Sequence, residues 1–272
     1  MTDPVDATSE RVELDDGGFA HVDSRGPRRA CSLIILPPLG IPGAVLDPFR
    51  DRLARSLRVH TVELPGTGRA SGIRAGATTR DLGTALRTVV ERRRLRGAHL
   101  FGISMGGMIA QWAVLDGGGC FDRVVLASTA AQGLRVALAG APAKLAMARC
   151  LVGPEPAGLQ IVREVVSEHV REDPVEMERI ERAIAESPRD PEEIAWLAAA
   201  ALRHDTRAEL AALRGPALVL SGDHDELIPL SLQDELAAAI GAERSSIPGA
   251  GHDVACDQPL VTAERVERFL LG

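Results

Sequence analysis

Tyrosine is absent from this chain of 272 residues, and phenylalanine and tryptophan together make up only 3% of it. No phenol is therefore available to meet a polar group on a bound molecule. Lysine is nearly as scarce: Lys144 is the only one, so positive charge rests on arginine. The net charge of −7 is the opposite of the basic balance that a nucleic-acid surface usually carries. No uninterrupted apolar stretch approaches the roughly 20 residues that span a bilayer. Met1 to Glu10 is polar and acidic, unlike the basic then apolar pattern of a signal peptide. The expectation is a cytoplasmic protein that engages neither nucleic acid nor membrane. Cys31, Cys120, Cys150 and Cys256 lie far apart with no C-x-x-C pair, so neither a zinc site nor a dithiol redox motif is signalled. They are expected as reduced core thiols, with Cys256 in the wall of a site. The run Arg92-Arg93-Arg94 with Arg96 closes a predicted helix, where cations complement the negative dipole end; it is expected as a solvated helix terminus.

What is present is a hydrophobic content of 45%, enough to bury the core of one α/β domain with an insertion. Apolar runs alternate with helical patterns, which predicts a mostly parallel sheet covered on both faces. Val12 to Leu14 and Phe19 to Val22 flank Asp15-Asp16-Gly17-Gly18, turn chemistry suited to an antiparallel hairpin. Strands are expected at Ser32 to Leu36, Arg58 to Glu63, Ala98 to Phe101, Arg123 to Ala127, Ala217 to Ser221 and Glu243 to Ile247. Helices are expected at Pro48 to Ser56, Thr79 to Arg94, Gly106 to Leu115, Ser231 to Ile240 and Pro259 to Leu271.

Residues 131–205 break this rhythm. Helical patterns at Leu134 to Leu151, Gly158 to Val170, Pro174 to Glu186 and Pro191 to Leu202, with no strand between them, read as a helical cap inserted into a core of residues 1–130 and 206–272. The small apolar stretches Val136-Ala137-Leu138-Ala139 and Ile194 to Ala199 are expected to help line an apolar cleft.

The segment Leu100-Phe101-Gly102-Ile103-Ser104-Met105-Gly106-Gly107 sets a serine between glycines straight after an apolar run, the pattern of a nucleophile elbow. A serine on such a turn adopts a cramped backbone, and flanking glycines let strand and helix approach. A serine hydroxyl becomes a competent nucleophile only beside a base. Ile247 to His252 puts His252 on a glycine-rich loop after the last strand, as general base. Leu218 to Asp225 puts two acids after the preceding strand: Asp225 is the better placed to orient the histidine, and Asp223 is the alternative. Ser, Asp, His is the chain order expected on this type of sheet. No helical H-x-x-x-H or ligand cluster supports a metal site at Asp223, His224 and Asp225, and no cofactor is expected. The oxyanion formed at a carbonyl would need two donors: the Met105 amide, and the Leu39 amide, because Pro37 and Pro38 have no N–H.

These motifs resemble the α/β-hydrolase superfamily along nearly the whole chain. The resemblance rests on the Gly102 to Gly107 elbow, the Gly222 to Asp225 acid loop, Gly251-His252, and Ile109-Ala110-Gln111 in the elbow helix. Val62 to Arg69 is similar to the family's D-x-P-G-x-G-x-S loop, with Glu63 in place of Asp and Ala70 in place of Ser, and Pro37-Pro38 stands where His-Gly is commonest. The fold implied is a mostly parallel eight-stranded sheet with helices on both faces and an inserted helical cap. Within the superfamily, the cap and Ala200 to Arg207 look most like the 3-oxoadipate enol-lactonases and related small esterases. Where those tend to carry a basic residue this chain has Gln132, with Arg135 close by; Gln132, Arg135 and the cap's Trp196 are the expected substrate contacts.

The resemblance implies a serine hydrolase that opens an ester or lactone of a small to medium, largely apolar molecule. The alternatives are acyl transfer, cyclisation or carbon-carbon bond hydrolysis with the same three residues, and, from another class, a ligand receptor without catalysis. The partner expected is a small molecule, and a homodimer is allowed.

Overall fold

The computed structural model describes residues 6–139, 157–187 and 190–272. Its strands are β1 (Thr8–Glu13), β2 (Phe19–Arg25), β3 (Ser32–Leu36), β4 (Arg58–Glu63), β5 (Ala98–Ile103), β6 (Phe121–Ala127), β7 (Ala217–Gly222) and β8 (Glu243–Ile247). They form one sheet in the order β1-β2-β4-β3-β5-β6-β7-β8. The first two pairings, β1 with β2 and β2 with β4, are antiparallel; every other pairing is parallel. The eight-stranded, mostly parallel sheet read from the sequence is the one observed, and β3, β4 and β8 keep the expected bounds.

The central strands are apolar without alternation because both of their faces are covered. In β3, Ile34 and Leu36 join one core cluster while Leu33 and Ile35 join the other. The first cluster lies under helices α2 (Thr79–Arg92), α3 (Met105–Leu115) and, from the later part of the chain, Leu230–Ile240. Helix α2 begins at a capping box in which Thr78 and Asp81 satisfy each other's backbone amides, a pairing that offsets the unmade bonds of a helix start. The second cluster lies under α1 (Asp47–Leu53) and the last helix, Pro259–Leu271. There Phe49, fully buried, packs its ring 5.0 Å from that of Phe101.

Between β6 and β7 the described residues hold α4 (Gly133–Leu138), α5 (Ala157–Val165), α6 (Glu168–Glu172), α7 (Pro174–Ala185) and α8 (Pro191–Leu202). The helix expected over 134–151 closes at Leu138 in its described part, with Ala139 as its cap; residues 140–151, including Lys144 and Cys150, lie outside the described residues. The single helix expected over 158–170 is instead two, because the chain turns at Val166 and Ser167 to meet the loop that carries His252. After β7 come α9 (Leu230–Ile240), α10 (Val254–Asp257) and α11 (Pro259–Leu271).

The two ends of the inserted stretch are sewn together over α3. Gly133 N donates to His204 O (2.9 Å) and Thr206 N to Ala131 O (2.9 Å). The buried Gln111 of α3 donates Nε2 to Ala130 O (3.1 Å) and accepts the Thr206 hydroxyl at Oε1 (2.6 Å). His204 pairs through Nδ1 with Thr79 Oγ1 (2.9 Å), and burial lowers its pKa to about 3.

Two surface expectations are corrected. Cys31 is exposed rather than a core thiol. The arginine run is not simply solvated: α2 stops at Arg92, which donates to Glu13 O (2.6 Å) and pairs with Asp15, and Arg93 pairs with Glu10. The helix end thus clamps the first hairpin.

Gln111→Leu removes the donor to the buried Ala130 carbonyl and leaves the Thr206 hydroxyl only its long bond to Ala131 O (3.4 Å), so it is expected to cost about 1–3 kcal/mol. The check is a urea midpoint shifted down with the slope m unchanged.

Candidate active site

Ser104 stands at the junction of β5 and α3 with φ 55° and ψ −119°. A non-glycine residue there stores strain of about 1–3 kcal/mol, which the packing around it holds in place. A Cβ on Gly106 would lie 2.4 Å from Leu36 O, one on Gly102 2.4 Å from Gly106 O, and one on Gly107 2.7 Å from Thr129 Cβ. Only glycine lets the helix start this close to β3 and β5. The Ser104 carbonyl is fixed by the amides of Gly107 (3.0 Å) and Met108 (3.2 Å) and by Thr129 Oγ1 (2.8 Å).

The loop after β8 brings His252 over this turn. Its Nε2 lies 2.9 Å from Ser104 Oγ, and its Nδ1 lies 3.1 Å from both carboxylate oxygens of Asp225. All three residues are buried, His252 at 4% exposure. Asp225 is itself immobilised: Oδ1 accepts the amides of Leu227 (3.0 Å) and Ile228 (2.9 Å), and Oδ2 accepts Gln233 Nε2 (3.0 Å). Gln233, on α9, also donates to Ile228 O and accepts Ser221 Oγ at 2.7 Å. Between the two candidate acids the geometry chooses Asp225. Asp223 is exposed and turned to the Gly249 amide at 2.8 Å.

Electrostatics favour a charged imidazole. Burial works against the cation, but the charge and hydrogen bond of Asp225, with Asp253 and Asp257 behind it, outweigh burial and raise the His252 pKa above its ordinary 6.5. Asp253 is raised to about 7 by burial and by Asp257. Cys256 is buried in α10 and its thiol is pushed well above its ordinary value, chiefly by burial, which leaves it unreactive.

Ser104 opens into a cleft of about 380 Å³, lined among the described residues by Leu39, Met105 and Met108, by Val136 and Ala137 of α4, by Ala198, Ala199, Ala201 and Leu202 at α8, and by Leu227 and Ile228. Apart from Ser104 those side chains are apolar. Leu39 and Met105 line the cleft with Ser104, and their backbone amides have no acceptor among the described residues.

The expected substrate contacts fall elsewhere. Gln132 donates to Asp205 (2.9 Å) and Arg135 forms an ion pair with Glu235; both line a separate hollow of about 120 Å³ with Arg207. Both are expected as contacts through the enol-lactonase resemblance, but α4 starts with Gly133 pressed against Ala201, where a Cβ would lie 1.8 Å from its carbonyl oxygen. That contact turns both polar side chains outward. Trp196, half-buried, packs against the core cluster and is not among the cleft residues. Glu63 is buried and binds the amides of Gly43 (2.8 Å) and Arg69 (2.9 Å), so the Val62 to Arg69 loop braces the end of β4. Sequence reasoning missed Gln233 and Thr129. The signal available for Gln233 was a lone amide within the apolar pattern Leu232 to Ile240.

The sequence model of the alpha/beta hydrolase family matches residues 34–265. The chain belongs to the α/β-hydrolase family. This α/β-hydrolase is 29% identical over 257 residues to the polyketide synthase ThaQ of Burkholderia thailandensis, covering 91% of this chain but 12% of the synthase. It is 28% identical over 116 residues to 3-oxoadipate enol-lactonase 1 of Acinetobacter baylyi, 43% of each. The chain thus spans less than half the length of these curated relatives. Among solved structures, the enol-lactonase of Burkholderia xenovorans LB400 superposes with TM-score 0.84 at 22% identity over 97% of this chain and 100% of that one. A hydrolase from Pseudomonas aeruginosa gives 0.82 at 24%, over 97% and 99%. Among the described residues no helix is long and apolar enough to cross a membrane, and no group of three His, Cys, Asp or Glu side chains is placed to hold a metal ion.

Gln233→Ala frees one oxygen of Asp225 and leaves Ser221 unpaired. It is expected to slow covalent labelling of Ser104 by a fluorophosphonate about tenfold while leaving the far-ultraviolet circular dichroism unchanged.

Proposed function

We propose that this α/β-hydrolase is a serine hydrolase that cleaves an ester or lactone of a small to medium, largely apolar molecule. The observation that carries the reading is the relay from Asp225 through His252 to Ser104, with hydrogen-bond distances of 3.1 and 2.9 Å, at the floor of an apolar cleft. Ser104 Oγ attacks the carbonyl carbon as His252 Nε2 takes its proton, and the carbonyl electron pair moves onto oxygen, toward the amides of Leu39 and Met105. Collapse breaks the bond to the leaving oxygen, which receives the proton from Nε2. Water then attacks the acyl carbon, giving a proton to His252, and release of Oγ returns that proton to Ser104. Asp225 holds the tautomer and stabilises the imidazolium. Residues 131–205 serve as the cap, with α4 and α8 closing the cleft over the acyl group.

Charge decides the substrate class more sharply than size. An anion placed among Met108, Val136, Ala198 and Leu202 would lose its hydration without gaining a partner, so neutral acyl groups are favoured over dicarboxylic ones. A second reading, transfer of an acyl chain to an acceptor other than water, is supported by the alignment of 91% of the chain to part of a polyketide synthase. Partitioning of the acyl-enzyme between water and added alcohols or thiols separates the two.

The deciding test is intact mass after exposure to a fluorophosphonate. One adduct is expected on the wild type, none on Ser104→Ala, and labelling slower by roughly a hundredfold or more on His252→Ala; a wild type without adduct would overturn the reading. His252 must be neutral to act, and its pKa is raised. The labelling rate should therefore rise with pH through a midpoint above 6.5. Neutral p-nitrophenyl esters of medium aliphatic acids should exceed half-esters bearing a terminal carboxylate at least about tenfold in kcat/KM, some 1.4 kcal/mol.

A further inference from the structure

We infer that Asp257 is a positioning residue that couples the docking of the inserted helices to the placement of the His252 imidazole. The inference rests on His252 being the general base. Asp257 is the last residue of α10 and is buried. Its two carboxylate oxygens serve different parts of the molecule. Oδ2 accepts the amide of Gly251 at 2.7 Å, immediately before His252, and Oδ1 accepts the amide of Ser167 at 2.7 Å, in the turn between α5 and α6. On the other side of the histidine, the Asp253 amide donates to Val165 O at 3.2 Å, at the end of α5. Both backbone neighbours of His252 are thus tied, one directly and one through a single carboxylate, to the stretch Val165–Ser167.

The approach is close enough to constrain the chain. A Cβ on Gly251 would lie 3.1 Å from Asp257 Oδ2 and 3.7 Å from both Ser167 N and Val165 O. The histidine loop is therefore packed between α10 and the α5–α6 turn. This also explains why the helix expected over 158–170 is broken: Val166 and Ser167 leave helical geometry so that one amide and one carbonyl face the loop. A core that held His252 by itself would not need that break. Lifting α5 and α6 removes an acceptor from Asp253 and a donor from Asp257, leaving a buried carboxylate half unsatisfied. The base is then correctly aimed only while the inserted helices are seated.

A carboxylate is required because both of its oxygens accept from amides. Asparagine would present one oxygen and turn an NH2 toward an N–H donor. Asp257 also faces His252 as a charge, together with Asp225 and Asp253, while Glu176 and Arg179 of α7 stand near the adjacent Cys256. Removing the Asp257 charge therefore lowers the histidine pKa; cutting only the link to Ser167 keeps the carboxyl, whose pKa burial already raises and that link opposes, so its effect on the histidine pKa is indirect and smaller. Ser167 has φ −63°, the value proline imposes, so Ser167→Pro deletes the amide donor and keeps the Asp257 carboxyl.

The experiment measures the rate of fluorophosphonate labelling of Ser104 by intact mass from pH 5 to pH 9, for wild type, Asp257→Asn, Asp257→Glu and Ser167→Pro, each checked by circular dichroism. Asp257→Asn is expected to label about tenfold more slowly on the pH plateau, with its acid limb moved to lower pH. Ser167→Pro should show the slower plateau with its limb moved less than that of Asp257→Asn, and Asp257→Glu, which keeps two acceptors, should recover most of the rate. If Asp257→Asn does not fold, the comparison of Ser167→Pro with wild type decides alone. Plateau rates within twofold of wild type in the folded variants overturn the coupling and leave the proposed chemistry standing. Failure of the wild type to label overturns the proposed chemistry instead.

Discussion

Everything in this molecule depends on one strained turn. Ser104 occupies a backbone conformation with φ 55°, and it can do so only because β3, β5 and α3 meet with no side chain between them. The same closeness has three effects. Oγ is lifted out of the sheet plane toward the histidine loop. The first amide of α3 is left without an intrahelical partner, at the helix end that favours negative charge. The loop after β3, with Leu36 O and Pro37 O against Gly106, is brought alongside, so that Leu39 lines the same cleft as Ser104. A turn that kept its backbone relaxed would supply none of these.

Around that turn two electrostatic demands oppose each other. Burial penalises a charged imidazole, and burial is also what keeps the His252 to Asp225 pair out of competition with water, where hydrogen bonds to charged groups are at their strongest. The conflict is resolved by excess negative charge: Asp225 in direct contact, with Asp253 and Asp257 behind it, raises the histidine pKa despite desolvation. The cost falls on Asp253, whose own pKa is raised to about 7 and whose Oδ2 has no partner among the described residues. Buried acid near neutrality is thus the consequence of holding a base ready in an apolar setting.

The strands of the sheet could be read from the chain because period and punctuation are local. Ser32–Leu36, Arg58–Glu63 and Glu243–Ile247 are apolar or alternating runs ended by Gly or Pro, and nothing distant changes them. Ser104, His252 and Asp225 were legible for the same reason, since each follows a strand by a few residues at one edge of the sheet. The residues that steady them were not. Gln233 lies eight positions from Asp225, on a helix whose remaining pattern is that of a packed surface helix. Asp257 acts through Ser167, 90 residues away in sequence. Gln132 and Arg135 lie apart from the cleft in a way that a resemblance in sequence does not show: both line the hollow with Arg207, paired with Asp205 and Glu235. The break at Val166–Ser167 belongs with these, since a continuous helical period gives no sign of a partner it must stop to meet.

The cleft carries this logic to the chemistry. Among its described residues the one polar side chain is that of Ser104, while the walls from α4 and α8 are small and apolar. In the proposed chemistry the carbonyl therefore orients the bound molecule, and shape and neutrality select among molecules. There is no tyrosine anywhere in the chain, Gln132, Arg135 and Arg207 line a separate hollow, and among the described residues the cleft walls carry no polar side chain. Specificity of this kind is set by the volume left between α4, α8 and the floor. Because the α5–α6 turn is bonded to the histidine loop, the seat of the inserted helices governs both the shape of that volume and the aim of the base beneath it.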